Sequence, residues 1–361
     1  MLRKRIRLLH LWIGLPIGFL FFLIAFSGAI YTWHPEFAKW SYQQRAEVKD
    51  AEFVSISTLK DSLKTAFPKG DFRTAMYRGH GYNMEVLLYG MGTYFHAQMD
   101  PYSGTLVHLQ DMNKGWLHKV LTLHRNLWLG DVGKEIGHWV TLLFLCMMVS
   151  GLFLWWPRNA ANGRMYFRIN WSGSLKRRLF DLHSVVGFYV SWVAIFSVMT
   201  GLFWGFDCVK DGLKTVLGEN DQHYEKPVSD TTSFVRKDQN IVLDSLFRLC
   251  VNQFPDRFVR ISNPHEVTEA IRVALVSPRH LLYKTDLRFF DRYTGEELTG
   301  HFASGLAKDA SPYHTVHFLV HDIHFGQILG LPGRLLVFFS SLFAASLPIT
   351  GFLMWWRRRR R

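Results

Sequence analysis

The sequence predicts an integral membrane protein of four transmembrane helices in two tandem repeats, with two small α+β domains on one, outer face. Three observations predict this. Four apolar runs, residues 8–33, 136–156, 180–206 and 335–356, are each about 21 to 27 residues long with almost no charge, enough to cross a ~30 Å hydrocarbon core. Histidines and glycines recur at matched spacing. His10 precedes Gly28 by 18 residues, as His183 precedes Gly201, and His124 precedes Gly151 by 27, as His324 precedes Gly351. The third observation is where the charge lies.

The net charge of +13 over 361 residues resembles a nucleic-acid signal until it is mapped. Residues 1–9, 157–179 and 357–361 hold fifteen cations and no Asp or Glu, leaving 27 cations against 29 acids elsewhere. The contributors are Arg3, Lys4, Arg5 and Arg7, then Arg158, Arg164, Arg168, Lys176, Arg177 and Arg178, then Arg357 to Arg361. Four spans put all three stretches on one side, which the positive-inside pattern makes cytoplasmic. A nucleic-acid partner is excluded on this map. Both termini are expected in the cytoplasm, and the long segments between spans 1–2 and 3–4 face outward. The first run is too long for a signal-peptide core and continues into Trp33-His34-Pro35, so it is expected to be retained.

The elements follow in order. Residues 1–34 form the first span. Residues 35–115 form the first outer domain, with an amphipathic helix over 54–67 stopped at Phe67-Pro68 and strands at 72–77, 83–88 and 93–99. A turn at Asp100-Pro101-Tyr102-Ser103-Gly104 follows. Residues 116–157 carry a His-bearing approach and the second span, and 158–179 form the basic loop. Residues 180–206 form the third span. Residues 207–312 form the second outer domain, with a helix over 241–254 ending at Phe254-Pro255, strands at 257–261, 270–276 and 287–291, and a turn at Asp291-Arg292-Tyr293-Thr294-Gly295. Residues 313–361 repeat the approach and span, then end in arginines. Span 2 closes on Ser150-Gly151 and Trp155-Trp156, span 4 on Thr350-Gly351 and Trp355-Trp356. Trp pairs suit the membrane interface.

Neutral imidazole is a good axial ligand for haem iron, and two per iron give a low-spin electron carrier. His10 with His183 at one end of the bundle, and His124 with His324 at the other, are the candidate ligand pairs of two haems. Gly14 and Gly187 follow their histidines by one turn and leave room for a flat macrocycle. Gly28 and Gly201 lie ~27 Å along the helix from His10 and His183, either beside the second haem or at close helix contacts. Arg125, Lys134 and Arg334 either pair with haem propionates or snorkel to headgroups. His138 can replace His124, and His321 can replace His324. His314, His317, His321 and His324 form one helical stripe, which is an outer ligand with neighbours, a separate metal site, or a polar face. The plain alternative for an interfacial histidine is a lipid phosphate. The spans hold Asp181 at an edge and no acid deep within, which argues against ion translocation. Cys208 and Cys250 share an outer segment and are either a disulfide or two free thiols, with Cys146 within span 2. No Cys-x-x-Cys-His occurs, so haem b rather than covalent haem is expected.

The motifs Leu9-His10-Leu11-Trp12-Ile13-Gly14, Leu123-His124 with its downstream glycines, Ile323-His324-Phe325-Gly326-Gln327-Ile328-Leu329-Gly330 and Ser150-Gly151 through Trp155-Trp156-Pro157-Arg158 resemble the PepSY-associated transmembrane proteins, also called iron-regulated membrane proteins. The resemblance covers nearly the whole chain. It implies PepSY-like outer domains on the periplasmic face of a bacterial inner membrane. It also implies an enzyme, a di-haem ferric-siderophore reductase of the ferrioxamine type, with the siderophore complex as substrate and a cytoplasmic or membrane electron donor. The rivals are a haem carrier serving a quinone or protein, and a non-enzymatic PepSY binding or regulatory module.

Overall fold

The computed structural model describes residues 1–41, 45–157, 166–219, 224–232, 234 and 236–359. Arg158, Arg164, Arg360 and Arg361, part of the charge pattern, lie outside the described residues. The chain divides into two compact units. One comprises residues 1–34, 116–213 and 320–361, the other residues 35–115 and 214–319.

The first unit is helical. Among the described residues four helices are long and apolar enough to cross a membrane: α1 (Leu2–Tyr31), α5 (Gly130–Trp155), the continuous helix Leu175–Gly205, and α11 (Leu331–Arg359). The third comprises α6 (Leu175–Asp181), a π-helical turn (Leu182–Val186) and α7 (Gly187–Gly205). In their most apolar stretches only 17–33% of residues are buried. Side chains such as Phe19, Trp192 and Phe196 are more than half exposed. Such surfaces need lipid rather than water around them. The centre of the bundle is close-packed around Phe21 and Phe144, stacked with ring centres 3.5 Å apart, with Val140, Ala194, Val198 and Ala344. Asp181 is buried and held by Arg177 at 2.9 Å.

Short helices lead into the spans. These are α4 (Trp116–Asn126) before α5 and α10 (Pro312–His324) before α11. α2 (His34–Ser41) follows α1, and α8 (Asp207–Val216) follows α7. The chain doubles back between α4 and α5 and between α10 and α11. The matched glycines are explained there: a side chain on Gly133 would strike the Asn126 carbonyl, and one on Gly333 the Gly326 carbonyl.

The second unit is α+β. Its strands are β1 (Asp71–Tyr77), β2 (Met84–Gly90), β3 (Thr93–Met99), β4 (Leu106–Asp111), β5 (Phe258–Ser262), β6 (Ile271–Val276) and β7 (Asp286–Phe290). Two separate small domains are expected from the sequence. The structure instead joins both segments in one antiparallel sheet, ordered β4-β3-β2-β1-β5-β6-β7. The join is β1 against β5, with Thr74 opposite Ser262 and Tyr77 opposite Val259. A three- or four-stranded piece covered by one helix has two open edges and a thin core; pairing the two first strands closes one edge of each and merges the cores.

Helices α3 (Ile56–Ala66) and α9 (Gln239–Gln253) cover one sheet face. Ile56, Leu59 and Leu63 from α3, and Leu243, Leu246 and Phe247 from α9, share one core with Ala75, Val86, Ala97, Ile261 and Val273. Ser55 caps α3, accepting from the Thr58 amide, and Asp238 caps α9, accepting from the Asn240 amide. The helices also bond to each other. The Ser57 amide donates to Asp244 at 2.9 Å, and Lys60 Nζ to Asn240 Oδ1 at 2.6 Å. The two turns share one chemistry. Asp100 Oδ1 accepts from the Tyr102 and Ser103 amides, and Asp291 Oδ1 from the Tyr293 and Thr294 amides. No disulfide joins Cys208 and Cys250: both are free, Cys208 exposed and Cys250 buried in the core beneath α9.

Candidate functional site

The helical unit brings the four histidines together in two pairs. His10, in the third turn of α1, faces His183 in the π turn, with ring centres 6.3 Å apart and planes at 89°. His124, near the end of α4, faces His324, the last residue of α10, with ring centres 6.0 Å apart and planes at 54°. His124 meets α1 at the level of Ile24 and Gly28. That is ~21–27 Å beyond His10 at 1.5 Å per residue. The pairs therefore sit towards opposite ends of the bundle, with Phe21 between them in sequence.

Every imidazole is tied at Nδ1. His10 Nδ1 lies 2.8 Å from Ser150 Oγ, and the Ser150 hydroxyl donates to the Met147 carbonyl at 3.1 Å. His183 Nδ1 lies 3.0 Å from Thr350 Oγ1 and 3.1 Å from the Leu347 carbonyl, to which Thr350 also donates. His124 Nδ1 lies 2.8 Å from the Ile24 carbonyl. His324 Nδ1 lies 2.8 Å from Thr200 Oγ1, whose proton goes to the Phe196 carbonyl. A carbonyl only accepts, and a hydroxyl that has given its proton away can only accept from the ring. At His124 and His183 a carbonyl partner makes Nδ1 the donor and leaves the Nε2 lone pair for a ligand; at His10 and His324 a hydroxyl whose own proton lies on its helix carbonyl accepts from Nδ1 in the same way.

That arrangement fits iron between two imidazoles. An imidazole nitrogen would hold a first-row metal at ~2.0–2.1 Å with the ring centre about 1.1 Å further back, so two rings sharing one metal would lie about 6.2–6.4 Å apart; the first pair, at 6.3 Å, is within that range and the second, at 6.0 Å, is slightly closer. Among the described residues no group of three or more His, Cys, Asp or Glu side chains could hold a metal ion. Two imidazoles alone would hold an iron only alongside further ligands, such as the nitrogens of a macrocycle. The first pair lines a cavity of about 790 Å³ between the four spans, bordered also by Gly14, Gly187, Phe21 and Phe144, with Arg3, Lys4, Arg7 and Arg358 among its lining residues. This is within the size range of cofactor pockets.

The glycines divide by role. A Cβ on Gly151 or Gly351 would lie 3.4 Å from Cε1 of His10 or His183. On Gly28 it would lie 2.8 Å from His124 Cε1 and 2.9 Å from Nδ1, so the imidazole itself fills the space the missing side chain leaves. Gly201 faces Thr141 at 3.5 Å, a helix-packing contact. The other candidates go elsewhere. Arg334 donates to the Thr32 carbonyl at 2.8 Å and stacks over Trp33, which anchors it to the end of α1. Arg125 and Lys134 are exposed. His138 packs against Gly205 and Phe206, 3.8 Å from Glu135. His321 stacks on Phe325, 3.3 Å from buried Asp322. His314 lies 3.0 Å from Ser311 and 3.4 Å from Glu219.

Some features escape sequence reasoning. The hydroxyls of Ser150, Thr350 and Thr200 are one; the Ser-Gly and Thr-Gly steps were the available signal. The π turn that presents His183, a common device at functional sites, leaves no signal in composition. Trp204, whose ring centre is 4.9 Å from that of His324, walls the second pair. In the α+β unit, Glu85 on the sheet face opposite the Met84 and Val86 side chains is buried with Arg78 at 2.7 Å and His96 at 3.5 Å. Burial raises its carboxyl, but the His96 hydrogen bond and the Arg78 charge outweigh this and hold it below the ordinary value. His280 nearby is lowered to about 4, by burial first and by the Arg78 charge next.

No curated protein matches the chain. A family model, described as the PepSY-associated TM region, matches residues 7–358, a span that takes in all four paired histidines and both units. The chain therefore belongs to the PepSY-associated TM region family and is a multi-pass membrane protein.

Proposed function

We propose that this protein is a b-type di-haem transmembrane electron carrier that reduces ferric siderophore iron at the periplasmic face of a bacterial inner membrane. The observation that carries the reading is the Nδ1-anchored imidazole pairs at two levels of one bundle. His10 and His183 would hold one haem, and His124 and His324 the other. A haem so held supplies a one-electron couple whose potential is set by its ligands and surroundings.

The chain's residues supply the rest. Ser150, Thr350, Thr200 and the Ile24 carbonyl hold each ring in one tautomer and orientation. Phe21 and Phe144 close the bundle core against water. The basic ends of α1, α6 and α11 favour a cytoplasmic location for that end of the bundle. The α+β unit then faces the periplasm, and the matched approaches and spans form two repeats about an axis along the membrane normal. Ferric iron in a siderophore is substrate: one electron converts Fe(III) to Fe(II), and oxygen ligands hold the smaller charge less tightly, so iron is released. No acid–base side chain is needed for that step.

The test is an optical spectrum of the detergent-purified protein, oxidised and reduced, with pyridine haemochrome quantitation. The expected result is two low-spin b-type haems per chain, with the reduced form reoxidised by a ferric siderophore. No haem after haem-replete expression would replace this reading by a membrane binding or regulatory module. Two haems that ignore ferric siderophores but exchange electrons with a quinone would make it a carrier.

A further inference from the structure

Each paired imidazole rests on a Ser-Gly or Thr-Gly step of a different helix. His10 of α1 rests on Ser150-Gly151 of α5, and His183 on Thr350-Gly351 of α11. His124 of α4 rests on Ser27-Gly28 of α1, and His324 of α10 on Thr200-Gly201 of α7. At three steps the glycine faces the ring, and at three a hydroxyl oxygen lies within hydrogen-bond reach of Nδ1. The exception in hydroxyl use is Ser27, whose hydroxyl lies 2.5 Å from the Leu23 carbonyl, while His124 bonds the Ile24 carbonyl directly. The exception in glycine contact is Gly201, whose neighbour is Thr141.

We propose that Ser150, Thr350 and Thr200 are positioning residues that act as hydroxyl relays, each passing the Nδ1–H hydrogen bond of its imidazole into the carbonyl row of a transmembrane helix. The inference rests on the haem reading above and extends it. A Ser or Thr side chain inside an apolar helix commonly bonds its own i−4 or i−3 carbonyl. Here that bond fixes the hydroxyl proton on the helix, so the oxygen faces the ring only as an acceptor. An accepted Nδ1–H makes the imidazole a stronger donor at Nε2 and stabilises the ferric state of whatever iron it holds. Its loss moves that iron's midpoint potential upward.

The test uses the full-length protein in detergent and three readouts: haem content, the two midpoint potentials and the low-spin EPR signals. S150A is expected to raise one midpoint and leave the other in place, and T200V to raise the other. S150T and T200S are expected to restore the wild-type values. Where the variant loses haem instead, about a tenfold weaker hold on that one haem is expected. If S150A does not fold, S150C keeps the volume, weakens the acceptor and carries the same expectation. A role confined to helix packing would leave potentials and g-values unmoved. Variants that keep two haems at wild-type potentials with unchanged EPR overturn this inference alone, whereas a wild-type protein without haem overturns the parent reading.

Discussion

Gly28→Ala is the sharpest single perturbation of the second pair. The added methyl carbon would stand 2.8 Å from His124 Cε1 and 2.9 Å from Nδ1, well inside van der Waals contact. The ring cannot step aside freely, because Nδ1 is bonded to the Ile24 carbonyl at 2.8 Å on the same helix. Overpacking of this kind costs ~1–3 kcal/mol. At 1.4 kcal/mol per tenfold, that is about 5- to 150-fold in affinity for whatever His124 and His324 hold. Gly151→Ala, whose methyl would meet His10 at 3.4 Å, is a matched control with a much smaller effect. The assay is haem content by pyridine haemochrome across a dilution series, with redox titration of what remains. G28A is expected to lose one haem and keep the other at its wild-type potential. A G28A protein that holds two haems with unchanged spectra would refute the packing of His124 against Gly28 of α1.

His10→Ala and His183→Ala are each expected to remove the same haem, so the double variant should show no further fall in the reduced α-band, while His138→Ala and His321→Ala should keep both haems. Arg78→Met leaves Glu85 without its close cation, and breaking such a buried pair costs ~3–5 kcal/mol; faster hydrogen exchange in β2 and β3 would report it. Glu85 has a lowered folded value, so its contribution is present above the unfolded carboxyl value and is lost as pH falls through the folded one. His280 has a folded value of about 4 against an ordinary 6.5, so the unfolded chain takes up a proton first. Stability therefore drops between those pH values, by at most ~3 kcal/mol at 1.36 per unit, and His280→Asn, which tolerates the left-handed backbone there (φ 54°), should flatten that slope. Burial pushes the Cys250 thiol up to about 11, so maleimide should label Cys208 in the native protein and Cys250 only after unfolding.

Much of this fold is written in local pattern. The apolar runs mark the spans because a bilayer demands length and hydropathy together, and alternation marks six of the seven strands. β4 was missed because its residues are half-exposed and carry no strong alternation. The join of β1 to β5 was missed because the pairing partner of an edge strand is a tertiary choice among equivalent edges. The paired histidines were legible through their equal spacing to glycines, since a repeat copies geometry along with residues. The occupant of the space at Gly28, and the hydroxyl that faces each ring, depend on helix rotation, which spacing along one chain does not fix. Arg334, open in sequence between a propionate partner and lipid headgroups, donates to the Thr32 carbonyl and lies over Trp33, a contact between distant segments that spacing does not show.

The sheet that runs through both long segments also ties its own completion to how the chain is threaded through a membrane. β1 is made before two spans have been threaded, and its hydrogen-bonding partner β5 is made after them. The sheet closes only when both segments emerge on the same side of the bilayer, so a chain that inserts α5 or α7 backwards leaves β5 stranded across the membrane from its partner. The misthreaded chain then keeps a bare strand edge and half a core, the features that leave a chain open to aggregation. Correct topology and a finished water-exposed unit are thereby one event.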